Sequence, residues 1–385
     1  MKIIEIKLPP TNIPFYYNTN FNPSIIKVSP HLYLVSFRTF RRYKLALDAQ
    51  PVQEARVNEP NHPWYGGPNS ATWWKGSQGT AFIYLQADTF IASEVIYYLK
   101  EVVDSRLFRL DPNTAILTGN THFPVIPFGR DRPKWKIPTF PGSSNKCSSS
   151  HCVGMGSSLL SYDITAHTVQ NIKNTPMYPL CNNVSITSDK NWSLFSYNHD
   201  LYLSYMLAPE HVILDLDLDD LEECYPRSTG DINIFGQISN YYEGETIFSL
   251  STPALPFDQN TYIGVGHVKF GNPPDRKESN LAKFISSVES TLKSHPLNIY
   301  YLMFFYTFDP TTLEILQVSD AFLPPTSEYS LVFPCGLTMA DEDTFIVSYG
   351  EGDVKMKLLI MTREEIQSML WDQEMDPAEY DFIKY

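Results

Sequence analysis

Basic residues are scarce in this chain: 29 Lys and Arg stand against 43 Asp and Glu, a formal charge of −14 over 385 residues. Nucleic-acid binding draws on Lys and Arg displacing phosphate counterions, so this balance argues against DNA or RNA as a partner. Long apolar runs are missing too. No stretch reaches the roughly 18 apolar residues that a membrane-spanning helix needs, and Met1-Lys-Ile-Ile-Glu-Ile-Lys7 alternates charge with hydrophobicity where a signal peptide has an unbroken apolar centre. The expectation is a soluble, cytoplasmic protein. The five cysteines are an odd and scattered set, which implies no disulfide framework. The sequons at Asn183 and Asn191 then go unused. Charged residues make up only 19% against 43% hydrophobic, ample for a substantial core.

What is abundant is aromatic and turn-forming. The 24 Tyr and 23 Phe favour pleated surfaces, and 29 Pro with 18 Gly imply many turns, as in a mainly-β chain. Five stretches superimpose without a gap, starting at Ser24, Arg106, Ser193, Pro253 and Gly336. Each is an apolar run, a turn former five residues on (Ser29, Asp111, Asn198, Asp258, Asp341) and a second apolar run centred nine residues on (Tyr33, Ala115, Tyr202, Tyr262, Phe345). Asn and Asp accept positive φ and bond their own backbone, so this is hairpin chemistry, repeated. Five related sheets in one chain predict an all-β, five-bladed β-propeller spanning residues 1–385 as a single domain.

The repeats lie farther apart than the roughly 40–45 residues of a compact four-stranded blade, so the blades carry helical and loop insertions. Asn58 to Gln78 and Arg130 to Met155, rich in Pro and Gly, read as long loops, and loops of this length often carry function. Asp88 to Val103 reads as a helix, as does Asp275 to Ser294, where Leu281, Phe284, Ile285, Val288 and Leu292 share a face. A last helix over 362–370 opens on Thr362-Arg-Glu-Glu365, a capping pattern, and is expected to close against the last blade.

In a propeller the equivalent ends of the innermost strands meet near the axis. Two residues before each repeat start stand Asn22, Asp104, Asn191, Ser251 and Pro334; fourteen after stand Arg38, Asn120, Leu207, His267 and Gly350, with Lys190, Glu351 and Asp353 close by in sequence. These positions predict a polar, charged cluster at one mouth of the channel. Trp192, Tyr205, Tyr349 and the Trp64, Tyr65, Trp73, Trp74 insertion would ring it with aromatic faces. Hydroxyl-binding groups beside flat apolar faces suit a sugar. The competing account is that Asn, Asp and Ser here only cap turns and strand starts.

The same residues resemble a known group. Val102-Val-Asp-Ser-Arg-Leu-Phe108 is similar to the Glu-Asp-Pro-Arg-Ile/Leu motif of the five-bladed enzymes related to β-mannoside phosphorylases, glycoside hydrolase family 130. Ser251-Thr-Pro-Ala-Leu-Pro256 with Gly264-Val-Gly-His267 resembles their fourth-blade motif, and Tyr349-Gly-Glu-Gly-Asp353 their closing Tyr-Gly-Ala-x-Asp. Asp189-Lys-Asn-Trp-Ser-Leu-Phe195 resembles a Glu-Lys-Asn-Trp version in uncharacterised relatives of glycosyltransferases. The chain departs from the pattern at Val103 and Ser105, where the family has Glu and Pro, but keeps the Asp-x-Arg pair. The group includes phosphorylases, hydrolases and propeller-type β-mannosyltransferases.

The resemblance implies that Asp104 is the general acid, or the base in the synthetic direction, with a pKa raised by a desolvated site and inversion at the anomeric carbon. Arg106 would orient the site. Arg38, Lys190 and His267, with Asn120 and Asn191, would bind phosphate or a nucleotide-sugar phosphate, and Tyr349 and Asp353 would hold sugar hydroxyls. Asn22, Trp192, Ser251 and Glu351 complete the expected binding set. The expected partners are a carbohydrate acceptor and a sugar-phosphate or nucleotide-sugar donor, without a cofactor or metal. Two rivals are an inverting glycosidase, with Glu351 or Asp353 as base, and a non-catalytic propeller that binds sugar or protein. Cys147, His151 and Cys152 lack the second ligand pair of a zinc site. Asp215, Asp217, Asp219 and Asp220 alternate with Leu as an exposed edge strand would, and Gly264-Val-Gly-His267 lacks the helix of a phosphate loop.

Overall fold

A computed structural model describes residues 1–9, 16–42, 77–100, 102–124, 151–176, 191–216, 224–241, 246–270 and 300–372. Five antiparallel sheets form, and their first strands follow the five repeats. Blade 1 runs Tyr16–Ser29, Leu32–Arg42, Ser77–Gln86, Tyr97–Lys100; blade 2 runs Val102–Arg109, Thr114–Pro124, His151–Asp163, Thr168–Pro176. Blade 3 runs Ser193–Tyr197, Asp200–Met206, Val212–Leu216, Cys224–Ser228. In blade 4 the first strand is broken into Thr246–Leu250 and Leu255–Pro256, both paired with Tyr262–Phe270, followed by Tyr300–Phe308 and Ile315–Ser319. Blade 5 runs Val332–Met339, Thr344–Glu351, Lys355–Thr362.

The period of two explains how these sheets pack. Ile25, Tyr33 and Val35 point into one seam and Ile26 and Leu34 into the next, because successive strand residues face opposite ways. Among the described residues a hydrophobic core fills every seam, including the one where Ile25 and Val35 of blade 1 meet Ile346 and Leu358 of blade 5. A filled seam between first and last blade is what closes the ring as a five-bladed β-propeller. The N-terminal strand Lys2–Glu5 adds a fourth strand to blade 5, and the C-terminal strand Leu370–Asp372 adds an outermost strand to blade 4.

The turns are built as their residues suggest. Asp111 Oδ1 accepts from the backbone N–H groups of Asn113 (2.7 Å) and Thr114 (2.9 Å), and Asp258 Oδ1 accepts from those of Asn260 and Thr261 (both 2.8 Å). In blade 3, Asn198 and His199 both take positive φ (52° and 73°) in a two-residue turn. That hairpin is shorter than the others: Ser24 faces Ser36 and Arg106 faces Thr118, but Ser193 faces Ser204. The gap-free superposition therefore slips by one residue in blade 3, which is recovered at a bulge between Ser204 and Met206.

Several expectations change. Asp88 to Val103 is not a helix: Phe90 takes φ 55°, Tyr97–Lys100 pairs along Ser77–Gln86, and Val102 already begins blade 2. The β-forming Tyr97-Tyr98-Leu99 found an open sheet edge, and tertiary pairing overrode the helical spacing. Asp215 lies in an inner strand of blade 3, bonded to Arg227 at 2.8 Å, rather than on an edge. The last helix is Arg363–Gln367, shorter than 362–370, and the chain then returns to blade 4. A helix without a sequence-level expectation, Ile234–Tyr241, is capped by Asn233 Oδ1 and buries Ile234, Phe235 and Ile238 in the seam of blades 3 and 4. Residues 275–294, most of 58–78 and most of 130–155 lie outside the described part, as do Asp217, Asp219 and Asp220. Among the described residues no helix is long and apolar enough to cross a membrane.

Candidate functional site

The polar positions two residues before the repeat starts meet at one mouth of the ring. The inner strands of blades 1, 2 and 5 carry a register shift at the same place, between Phe21 and Ser24, Val103 and Arg106, and Pro334 and Gly336. In blades 1 and 2 this bulge holds Asn22 and Asp104 at φ 52° and 51°. Asn and Asp tolerate this left-handed region better than other L-residues, and a bulge re-aims the side chain it carries. The result is direct contact: Asn22 Nδ2 donates to Asp104 Oδ1 at 2.8 Å.

Arg38, on the return strand of blade 1, donates from Nη1 to both oxygens of Asp104, at 2.9 and 3.0 Å. Its guanidinium lies 5.1 Å from the centre of the Phe21 ring. Burial pushes the Asp104 carboxyl up, but the Arg38 charge, the hydrogen bonds from Asn22 and Arg38 and the Arg106 charge together hold it below its ordinary value. Asp104 is thus a carboxylate in the resting site. This corrects the raised pKa that the resemblance implied: desolvation is the largest single influence, but the two arginines and the Asn22 amide together outweigh it.

Arg106 ties four blades together. It is 1% exposed. Its Nη1 donates to the carbonyl of Asp104 (2.6 Å), Nη2 to Asn191 Oδ1 of blade 3 (3.0 Å) and Nε to the carbonyl of Ser251 in blade 4 (2.5 Å). The guanidinium also lies 5.5 Å from the Phe333 ring centre of blade 5. Ser251 Oγ in turn shares a 2.6 Å hydrogen bond with His267 Nδ1. The His267 ring stacks on Tyr301 (5.2 Å, 18°) and meets Phe333 edge-on (4.8 Å). Burial, with Arg106 and Lys269 nearby, pushes His267 down to about 3, so it is neutral near pH 7 and offers hydrogen bonds rather than charge. Cys335, in the bulge of blade 5, is buried among the same charges: burial pushes its thiol up, and Arg106, Asp104, Asp353 and Arg38 all act on it.

The structure therefore brings together Asn22, Arg38, Asp104, Arg106, Asn191, Ser251 and His267. Asp353 approaches the cluster on a left-handed turn (φ 54°) that follows Gly352 (φ 61°). Four expected residues sit elsewhere, among them Tyr205, which is buried in the seam of blades 2 and 3. Trp192 is buried in the seam of blades 2 and 3 against Tyr205 (5.3 Å) and offers no open face for stacking. Tyr349 is buried in the seam of blades 4 and 5. Glu351 is fully buried and ion-paired with Lys357. Asn120 pairs with Val103, but its side chain, Lys190 and the Trp64, Tyr65, Trp73, Trp74 insertion lie outside the described part.

Among the described residues the half-buried aromatic rings beside the cluster are Tyr301 and Phe333, with the fully buried Phe21 behind Arg38; the sequence reading missed all three, along with Lys269, whose Nζ lies 5.8 Å from the Tyr301 ring centre. A signal existed. Phe21 and Phe333 are the cross-strand partners of Arg38 and Gly350, and Lys269 shares a face with His267 two residues away.

No family model matches the chain, and no curated protein matches it by sequence. Among solved structures it is similar to a β-1,2-mannobiose phosphorylase from Listeria innocua, with 12% identity over 95% of this chain and 96% of that one and a TM-score of 0.52. A mannose phosphorylase from Leishmania mexicana in complex with phosphate ion gives 9% identity, 97% and 92% coverage and a TM-score of 0.49. A GDP-Man-dependent mannosyltransferase from the same organism gives 10%, 94% and 89%, and 0.48. At these identities the likeness is one of fold.

Proposed function

We propose that this propeller is a carbohydrate-active enzyme that transfers a glycosyl group with inversion, as a glycosyltransferase or phosphorylase of β-mannoside type. The observation that carries the reading is a carboxylate, Asp104, held at the channel mouth by a strained bulge and fixed by Asn22, Arg38 and Arg106. Its ionised state suits the synthetic direction. Asp104 would take the proton of the acceptor hydroxyl, directly or through a sugar hydroxyl, as the acceptor oxygen bonds to the anomeric carbon and the bond to the phosphate oxygen breaks on the opposite face. In the degradative direction the carboxyl must first gain a proton, which requires Arg38 to turn from Asp104 to the substrate. Asn22 and Asp353 would hold sugar hydroxyls, Tyr301 and Phe333 would offer apolar faces, and Lys190 and Lys269 would meet the anion beside a neutral His267.

In the glycosidase reading Glu351 drops out as a base, because it is buried and paired with Lys357, which leaves Asp353 of the two expected bases to activate water. The non-catalytic reading draws support from the Arg38–Asp104 pair, which leaves the resting carboxylate already bonded. Asp104→Asn separates these readings. Asn keeps the left-handed backbone and the hydrogen-bonding shape but takes no proton. With mannose 1-phosphate or GDP-mannose as donor, turnover should fall roughly 10²–10⁴-fold with little change in sugar binding. Turnover near the wild-type rate, or ligand binding by a wild type that transfers no sugar from any donor, would overturn the enzyme reading.

A further inference from the structure

Glu351 and Lys357 are buried charges that no step above uses. Their side chains are 0% and 7% exposed, and they face each other in the seam of blades 4 and 5, beside the apolar Val347, Tyr349 and Leu359. Taking two charges out of water is unfavourable, and well-packed apolar residues of the same volume would hold such a seam as well or better. The pair therefore calls for an explanation other than stability.

Its contacts supply one. Glu351 Oε1 accepts from the backbone N–H groups of Glu328 and Tyr329, the latter at 3.2 Å. These residues belong to the connection that runs from blade 4 into blade 5. On one side, the carbonyl of Ser330 accepts from the N–H of Tyr301 at 2.9 Å, and the Tyr301 ring is the one stacked on His267. On the other side, the N–H of Gly352 donates to the carbonyl of Leu331 at 2.8 Å, and the Tyr329 ring lies so close to Gly352 that a Cβ there would stand 2.6 Å from Cγ of the ring. Gly352 and Asp353 are the consecutive left-handed residues that present the Asp353 carboxylate. Lys355 and Glu328, 2.5 Å apart, fasten the same connection from outside.

We propose that Glu351, with its charge balanced by Lys357, is a positioning residue that pins residues 328–331 and thereby sets both Tyr301 against His267 and the Gly352-Asp353 turn at the channel mouth. The consequence for ligand binding rests on reading that mouth as the ligand site; the positioning itself does not.

The test compares two double variants with wild type. Glu351→Leu with Lys357→Met keeps volume and removes both charge and acceptor. Glu351→Gln with Lys357→Met also removes the charges but keeps an acceptor at Oε1. The apolar pair should melt within a few degrees of wild type, yet its Tyr301 and Gly352 amides should exchange hydrogen about tenfold faster. Its affinity for mannose 1-phosphate by calorimetry should drop about tenfold as well. The Gln pair should retain wild-type exchange at both amides and wild-type affinity. Unchanged exchange at Tyr301 and Gly352 in the apolar pair overturns the proposal. So does fast exchange at both amides in the Gln pair, a result that stands even if the apolar pair does not fold. If wild type binds neither mannose 1-phosphate nor GDP-mannose, the sugar reading fails, while the exchange data still decide the positioning.

Discussion

At Gly350 blades 5 and 1 come so close that an added Cβ would stand 2.1 Å from Asn22 Oδ1 and 2.7 Å from its backbone nitrogen. The residue is glycine because the Asn22 bulge occupies the space any side chain would need. Asn22 is in turn one of the groups that keep Asp104 ionised. Gly350→Ala should therefore push Asn22 off its bond to Asp104 and destabilise the fold by roughly 1–3 kcal/mol, as overpacking against backbone does. It should also raise the pKa of Asp104, since a lowering partner is lost. Denaturant unfolding together with a carboxyl titration followed by NMR checks both effects. A variant as stable as wild type, with the Asp104 titration unmoved, would show that the approach is not tight. Arg106 illustrates a different economy: one buried guanidinium spends its donors on Asp104, Asn191 and Ser251, so a single side chain sets the geometry of three blades at the mouth.

At the scale of elements, the connections matter more than the strands. The short helix Arg363–Gln367 starts on a complete capping box: Thr362 Oγ1 accepts from the Glu365 N–H at 3.1 Å, and Glu365 Oε2 accepts from the Thr362 N–H at 2.9 Å. Glu365 also receives the amino group of Met1. The cap thus stands where the N-terminal strand, the third strand of blade 5 and the strand returning to blade 4 all converge. Thr362→Ala should lower stability by about 1 kcal/mol, read as a shift in the urea midpoint with an unchanged slope. An unshifted midpoint would mean that the helix is held by Ile366, buried in the seam, rather than by its cap.

For the whole molecule, the seams between blades carry buried titratable groups whose state depends on pH. His211 lies in the seam of blades 3 and 4 with Nδ1 bonded to the Leu313 carbonyl at 2.9 Å, and burial pushes it from 6.5 down to about 4. His267 is pushed down to about 3. An unfolded chain protonates these rings near pH 6.5, roughly, whereas the folded chain resists until the lower values. Between those limits the unfolded state binds more protons, so stability is whole above pH ~6.5 and falls as the pH falls toward the folded values. For His211 alone the shift corresponds to roughly 3 kcal/mol. The lowered carboxylates Asp104, Asp258 and Asp341 add their loss only further down, below their ordinary range. His211→Leu should be less stable at pH 7, because the Leu313 carbonyl loses its partner, yet lose less between pH 7 and 5. Denaturation at the two pH values measures this, and equal losses in variant and wild type would show that His211 does not stay neutral in the fold.

What the sequence by itself determined is local. Dihedral preference and period act within a few residues, so the five hairpins, the Asp-led turns at Asp111 and Asp258, and the cap at Thr362 were readable without any tertiary information. The repeat also predicted which polar residues would be neighbours, because equivalent strand ends must converge in a ring; Asn22, Asp104, Asn191 and Ser251 do so. Only the tertiary structure decided what depends on residues far apart in the chain. Tyr97–Lys100 became a strand because the edge of Ser77–Gln86 was open to it. Asp104 became a stable carboxylate because Arg38 reached it across 66 residues. His267 stayed neutral because burial, more than its neighbours, set its titration. Glu351 was withdrawn from the mouth because Lys357 sits beneath it in the same seam. Burial and electric field are properties of the assembled ring, and no short window of sequence contains them.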